Sequence, residues 1–258
     1  NKKKVDDEDY YNNGDLFGVK GIEAGYEKEL RGEKGMSITL VDVYNRQQGR
    51  FQQGKFDTLP ISGKNLYSTI DIELQKYGEQ LMKNKKGAIV AIEPKSGEIL
   101  ALISAPTYSP DLLSGRDRSK NYQQLISNKE KPLFNRALSG LYPPGSIFKI
   151  LNGLIALEEK VISKNKFYNC NNGFEYEKGK LVGCHPHKSI TNLRQAITIS
   201  CNTYFCKAFS DLFKNRQTTE ESYTLWKNHL SSFGIGEWMN NDFVSGTKGF
   251  LPEHDYYN

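Results

Sequence analysis

Apolar and polar residues along this chain fall into runs of two kinds, one reading as strands and the other as helices. Gly87-Ala88-Ile89-Val90-Ala91-Ile92 is a short apolar run, and Glu98 to Ser104 is a second one. Between them, Pro94-Lys95-Ser96-Gly97 is turn chemistry, so the pair predicts a β-hairpin. Met36 to Val43 and Arg50 to Phe56 are strand-like, divided by the polar Asn45-Arg46-Gln47-Gln48-Gly49. Ile22 to Leu30 fits a short amphipathic helix flanked by glycines. Thr69-Ile70-Asp71-Ile72-Glu73 opens a helix running to about Lys86, with Thr69 or Asp71 as its cap. From Ser146 to Lys160 the apolar positions Ile147, Phe148, Ile150, Leu151, Leu154, Ile155 and Leu157 lie nearly all round a helix, which predicts a buried central one. Two further helices are expected at Thr191 to Ile199 and Asn202 to Lys214. Residues 106–135 give no clear pattern, and 163–190 reads as irregular. Strands before a central helix and helices clustered after it predict an α+β fold, an antiparallel sheet with helices around it. Turn residues at Pro60-Ile61-Ser62-Gly63 suggest a boundary between a first part, 1–60, and a second, 61–258.

Composition changes this picture little. The chain has 258 residues, 37% hydrophobic and 25% charged, as in an ordinary globular protein. Its net charge of +5 is spread among interleaved acids and bases, so no nucleic-acid footprint stands out. The Lys/Asp-rich residues 2–9 are expected to fray. No apolar run approaches the ~20 residues needed to span a bilayer, and no signal peptide is present. The first residue is not Met, so the chain is read as part of a longer protein.

The chemistry concentrates around Tyr142-Pro143-Pro144-Gly145-Ser146-Ile147-Phe148-Lys149. Prolines and glycine end whatever precedes them, which sets Ser146 on the first turn of the following helix. Free backbone N–H groups there favour developing negative charge. Lys149, three residues on, shares a face with Ser146, and a lysine withdrawn from water can act as base for a serine nucleophile. The plainer reading makes Ser146 a helix cap and Lys149 a surface lysine. A second candidate is Ser200-Cys201-Asn202, a serine and an amide at a helix junction. That serine can relay a proton and that amide can hold a carbonyl or a lysine, although such a pair also serves as a cap. His229 and His254 read as ordinary surface or core residues.

S-x-x-K followed by S-x-N is the order of the first two motifs of the penicillin-recognising serine acyl-transferases. The chain resembles the class B penicillin-binding proteins of the elongation-specific type, penicillin-binding protein 2. Gly21-Ile22-Glu23, Tyr26-Glu27 and Leu30-Arg31-Gly32 look like the signature of the non-catalytic pedestal, so 1–60 corresponds to the end of that domain and 61–258 to the N-terminal portion of the transpeptidase domain. Thr69 to Gln75, Gly87 to Pro94, Ser96 to Ala105 and Pro132 to Ala137 match the approach to the active site. The resemblance implies a peptidoglycan D,D-transpeptidase of cell elongation and cell shape, acting on D-Ala-D-Ala stem peptides and acylated by β-lactams. Ser146 would be its nucleophile and Lys149 the base, with Ser200 and Asn202 serving proton transfer and the cleft. It further implies other elongation proteins as partners, a glycosyltransferase among them, and an inner-membrane location through an N-terminal anchor outside this chain, the catalytic domain facing the periplasm. The family's third motif, K-T-G, is not met; Ser245-Gly246-Thr247-Lys248-Gly249 has the letters in another order and reads as a surface turn. As given, the chain is therefore expected to be weakly active or inactive, since losing one oxyanion donor costs ~100–1000-fold in rate. A catalytically inactive penicillin-binding sensor or scaffold is the alternative.

Cys170, Cys184, His187 and Cys201 form the series C-x13-C-x2-H-x13-C. Three thiolates and an imidazole suit a structural tetrahedral zinc, with His185 able to replace His187. The resemblance adds that some family members carry metal ligands at corresponding places. Since the family works outside the cytoplasm, a Cys170–Cys184 disulfide is the competing expectation, and unpaired cysteines a third. Cys206 reads as an ordinary buried helix thiol. A zinc-dependent nucleic-acid binder would need a basic stripe or aromatic platform that the sequence lacks.

Overall fold

The structure, a computed structural model, describes residues 10–12, 14–238 and 242–257; the 2–9 run lies outside them. The fold is α+β, and the chain divides into two compact units. The first holds the described residues up to Gly140 and those of 242–247, the second those of 141–238 and 248–257.

In the first unit the segment expected as one helix is two, α1 (Gly21–Gly25) and α2 (Glu27–Arg31), broken at Tyr26 (φ −115°, ψ 24°) just after the weak helix former Gly25. Strand β1 (Thr39–Val41) pairs antiparallel with β2 (Gln47–Arg50). The second strand thus begins earlier than its apolar residues suggest. The Asp42 carboxylate accepts from the Tyr44 and Arg46 N–H groups, both at 2.9 Å, and closes the turn before Gln47. Phe51–Gly54 is a 3-10 turn, with Gln52 and Gln53 left-handed (φ 44° and 59°). Helix α3 (Ile72–Leu81) is capped by Asp71, whose carboxylate accepts from Glu73 N and Leu74 N. It stops short of Lys86 because Asn84 turns left-handed (φ 60°) within a run of lysines.

The hairpin forms as expected, β3 (Gly87–Ile92) against β4 (Ile99–Ala105), Gly87 opposite Ala105. Alternate residues of β4, Ala101, Ile103 and Ala105, are buried. Ile103 reaches so close to α3 that a Cβ on Gly78 would lie 2.6 Å from its Cδ1. Within the stretch that gave no pattern lies α4 (Arg118–Ser127), and α5 (Arg136–Ser139) follows, capped by Asn135. Ser245–Gly249 is irregular, and Thr247 N–H donates to Leu138 O.

The second unit opens with a 3-10 turn over Gly145–Ile147 that runs into α6 (Phe148–Glu158). The segment 163–190 is not irregular. Strand β5 (Tyr168–Asn169) pairs with β8 (Ile190–Thr191), and between them β6 (Gly173–Glu177) pairs with β7 (Lys180–Gly183). Helices α7 (Leu193–Thr198), α8 (Asn202–Phe213) and α9 (Thr219–Ser232) complete the unit, α7 and α9 each starting with a capping box.

The burial expected of the nucleophile helix belongs instead to α8. Thr203, Tyr204, Phe205, Ala208 and Leu212 are buried along it, between one cluster with Ile162, Leu193 and Ala196 and another with Ile155, Tyr223, Trp226 and Leu230. Helix α6 is buried on one side only: Ile155 and Ala156 are covered, while Ile147, Ile150 and Leu154 are 74%, 54% and 48% exposed. His229, half-buried on α9, bonds Glu159 through Nε2 at 2.8 Å, and Arg216 reaches the same carboxylate at 2.7 Å.

Candidate active site and thiol cluster

Gly145 takes a left-handed backbone (φ 59°), open to glycine at no steric cost, and so turns Tyr142-Pro143-Pro144 into the 3-10 turn carrying Ser146. Ser146 is exposed, and its hydroxyl makes no hydrogen bond among the described residues. Lys149, one turn further on and half-buried, does have partners. Its Nζ donates to the Ser200 carbonyl oxygen at 2.7 Å and to Ser200 Oγ at 2.8 Å. The Phe205 ring centroid lies 6.0 Å from the same ammonium. Burial holds the Lys149 pKa below the ordinary ammonium value, the nearby thiols Cys184, Cys201 and Cys206 working the other way. A lysine less firmly protonated than usual is thus hydrogen-bonded to one serine and one turn from another.

Ser200 presents two oxygens to one ammonium because its backbone is left-handed, φ 53°. Such a conformation in a residue with a Cβ costs about 1–3 kcal/mol and persists only where neighbours impose it. Here Cys201 N–H donates to Ala196 O at 2.9 Å, and the Cys201 side chain, 1% exposed, caps α8 by accepting from Tyr204 N–H. Asn202 Nδ2 donates to the Gly183 carbonyl at 2.7 Å, tying the end of β7 to the S-x-N motif.

Behind the motif the sulfurs of Cys170, Cys184 and Cys201 and a ring nitrogen of His187 all lie within 4.8 Å of one another. Cys184 Sγ and Cys201 Sγ are 3.9 Å apart. Thr203 Oγ1 stands 3.1 Å from Cys170 Sγ and 3.3 Å from Cys184 Sγ, and Thr203 N–H donates to Cys184 Sγ at 3.2 Å. Burial alone would push the Cys184 thiol up, but these donors at the start of α8 outweigh it and hold the thiol well below its ordinary value. Burial raises the Cys201 and Cys206 thiols. All four cysteines are free thiols, so Cys170 and Cys184 are not joined. His185 is exposed and outside the cluster; His187 is the imidazole within it.

The donor set fits a tetrahedral metal. A Zn–S bond of about 2.3 Å sets sulfurs about 3.8 Å apart, close to the Cys184–Cys201 separation. His187 Nδ1 is 2.6 Å from the Lys188 carbonyl, which only accepts, so Nδ1 carries the proton. Nε2 is buried, and the neighbouring Cys184 sulfur raises the His187 pKa; in its unprotonated form Nε2 would offer a metal its lone pair.

A sequence profile described as "Penicillin binding protein transpeptidase domain" matches residues 87–258, and another described as "Penicillin-binding Protein dimerisation domain" matches residues 1–68. The chain belongs to the penicillin-binding protein transpeptidase family. Within it the chain is of the class B, PBP2 type. It is 30% identical to the peptidoglycan D,D-transpeptidase MrdA of Acinetobacter baumannii, across 97% of this chain and 36% of that protein. With the Escherichia coli K12 protein of the same name it is 30% identical over 93% of this chain and 36% of that one. The PBP2 of Helicobacter pylori, solved in complex with MreC, superposes with a TM-score of 0.76 at 28% identity, over 93% of this chain and 43% of that one. The Pseudomonas aeruginosa PBP2 in complex with WCK 5153 gives a TM-score of 0.72 at 27% identity, over 93% and 48%. The chain thus spans about a third of the length of the curated relatives it matches. Among its described residues no helix is long and apolar enough to cross a membrane.

Two signals in the sequence pointed to groups now seen beside the site without being read that way. Gly183 adjoins Cys184, so a backbone carbonyl next to a cluster residue was available to Asn202. Thr203 and Phe205 follow the S-x-N motif on the first turn of α8, where a hydroxyl and an aromatic ring face back toward the thiols and Lys149.

Proposed function

We propose that this chain carries the nucleophile and proton-transfer residues of a peptidoglycan D,D-transpeptidase, and that Ser146 is the residue acylated. One observation carries the reading: Lys149 Nζ stands 2.8 Å from Ser200 Oγ, on the helix turn following Ser146. Catalytic hydrogen bonds are often incomplete in an unliganded site, so the open Ser146 hydroxyl fits a nucleophile awaiting substrate. In the proposed sequence Lys149, in its neutral form, takes the Ser146 proton as Oγ attacks the penultimate D-alanine carbonyl of a stem peptide. Backbone N–H groups at the start of the 3-10 turn stabilise the oxyanion. Ser200 relays the proton from Lys149 to the departing terminal D-alanine. The amino group of a neighbouring stem then attacks the acyl-enzyme, and its proton returns along the same path to Ser146.

Cys170, Cys184, His187 and Cys201 would hold a structural zinc, whose chemistry is to cross-link the β5–β8 segment to the S-x-N motif. Residues 1–60 are assigned to the end of the pedestal and 61–258 to the transpeptidase portion, a division supported by the dimerisation profile's end at residue 68. The substrate class is peptidoglycan stem peptides, with β-lactams as covalent inhibitors. By analogy with the MreC complex of the Helicobacter pylori protein, the partners are other elongation proteins, and the site works on the periplasmic face of the inner membrane.

The test is intact-protein mass spectrometry after incubation with a penicillin, paired with cross-linking of a D-Ala-D-Ala stem peptide. An adduct mapped to Ser146 together with peptide turnover supports the enzyme. An adduct without turnover, in a form extended to the relatives' length and carrying the K-T-G motif, supports a penicillin-binding sensor or scaffold, and an adduct elsewhere overturns the assignment of Ser146.

A further inference from the structure

We propose that Cys184 and Cys201 form a reversible oxidation site, joined by a disulfide when no metal holds the cluster. The inference stands on cluster geometry and is independent of the metal reading, although the two meet at the same sulfurs. It also differs from the Cys170–Cys184 bond expected from the family's extracytoplasmic setting.

The two sulfurs are 3.9 Å apart, so a small approach brings them to the about 2.05 Å of a disulfide. Access selects the order of events. Cys184 is half-exposed, whereas Cys170 and Cys201 are 4% and 1% exposed, so an oxidant meets Cys184 first. Cys201 is placed to act second because its sulfur is 3.9 Å from Cys184 Sγ and is held there by Tyr204 N–H, which donates to it at 3.3 Å. The segments are already tied one residue away, by the bond from Asn202 Nδ2 to Gly183 O.

The oxidant is a disulfide, RSSR, small or protein-borne. The Cys184 thiolate attacks one sulfur of RSSR, the S–S bond breaks, and RS⁻ leaves with the electron pair. The Cys201 thiolate then attacks Cys184 Sγ, releasing the second RS⁻. Two cysteine thiols are oxidised, RSSR is reduced to two thiols, and the two protons the cysteines gave up end on the RS⁻ products. The bond joins the end of β7 to the residue between Ser200 and Asn202, so oxidation locks the S-x-N motif covalently. A metal ion bound by the same thiolates blocks the exchange.

The experiment uses the intact wild-type protein, treated with a chelator, exposed to oxidised glutathione, alkylated and digested with trypsin. The expected product is Leu181–Lys188 linked to Gln195–Lys207, with fragmentation assigning the bond to Cys201 and not Cys206, and with reversal by a phosphine reductant. A link to Cys170 or to Cys206, a stable glutathione adduct at Cys184, or four alkylated thiols would overturn the proposal. In a second arm the protein is first loaded with zinc. An at least tenfold drop in the linked peptide supports the shared-sulfur arrangement. If elemental analysis finds no zinc taken up and the linked peptide still forms, the metal reading falls and the oxidation site stands. Zinc bound with undiminished linkage overturns the exclusion of one by the other.

Discussion

Ser146 and Ser200 carry the same hydroxyl in opposite circumstances. Ser146 is exposed on a 3-10 turn led in by two prolines and a left-handed glycine, its hydroxyl without a partner among the described residues. Ser200 is half-buried and held on every side: its two oxygens face Lys149, the next residue caps α8 from within the core, and the one after ties to β7. The contrast suggests a division of labour. A nucleophile has to move from solvent onto a carbonyl carbon, so freedom suits Ser146. A proton relay works only at hydrogen-bond distance from its base, so over-determination suits Ser200.

The largest expected effect would break the comparison outright. Ser146→Ala should abolish the penicillin adduct while the fold, followed by circular dichroism, is unchanged; an adduct of normal yield would mean that the exposed serine is not the nucleophile. Next, Lys149→Met removes the group between the two serines, and acylation should slow about 100- to 10,000-fold, the usual weight of general acid–base catalysis. Stopped-flow acylation rates within a factor of two of wild type would remove Lys149 from the mechanism. The anchoring of the Ser200 side predicts an asymmetry in stability. Leu212→Ala on α8 removes a side chain only 1% exposed and should cost about 2–5 kcal/mol in chemical denaturation. Ile150→Ala, on the open face of α6 at 54% exposure, should change stability by no more than about 0.5 kcal/mol. Equal losses would show that the two helices are anchored alike.

The smallest effect concerns acid. A hydrogen bond from His229, with the Arg216 charge beyond it, holds the Glu159 carboxyl below its ordinary value of 4.5 despite the opposing effect of burial. A depressed carboxyl adds stability above its unfolded value, and that stability is lost as the pH falls through the folded one. Thermal midpoints should therefore fall more steeply below about pH 4.5 in wild type than in Glu159→Gln, and coincident curves would exclude the carboxylate as a source of acid sensitivity.

What the sequence made legible follows the range of the forces involved. The Gly87–Ala105 hairpin could be read because both strands and their turn are contiguous. S-x-x-K and S-x-N could be read because each motif fits within one helix turn. The strands of 168–191 escaped notice because β5 and β8 are two residues each and meet only after an intervening hairpin, so neither carries a periodicity of its own. The one-sided burial of α6 was hidden because apolar residues all round a helix do not reveal which side finds a neighbour. The Glu159–His229 bond joins residues 70 apart in sequence, beyond any local pattern. Asn202 was read as a cleft residue from its motif alone, and its tie to Gly183 depends on a strand whose course was not predicted.

The left-handed backbone at Ser200 narrows what can ever stand at that position. Threonine offers the same hydroxyl and is the obvious chemical substitute, but its extra methyl makes it β-branched, the class for which positive φ is a genuine outlier. Glycine and asparagine accept the backbone but bring no hydroxyl. Conformation and chemistry thus overlap on a single side chain, and drift at residue 200 has no neutral neighbour to step to.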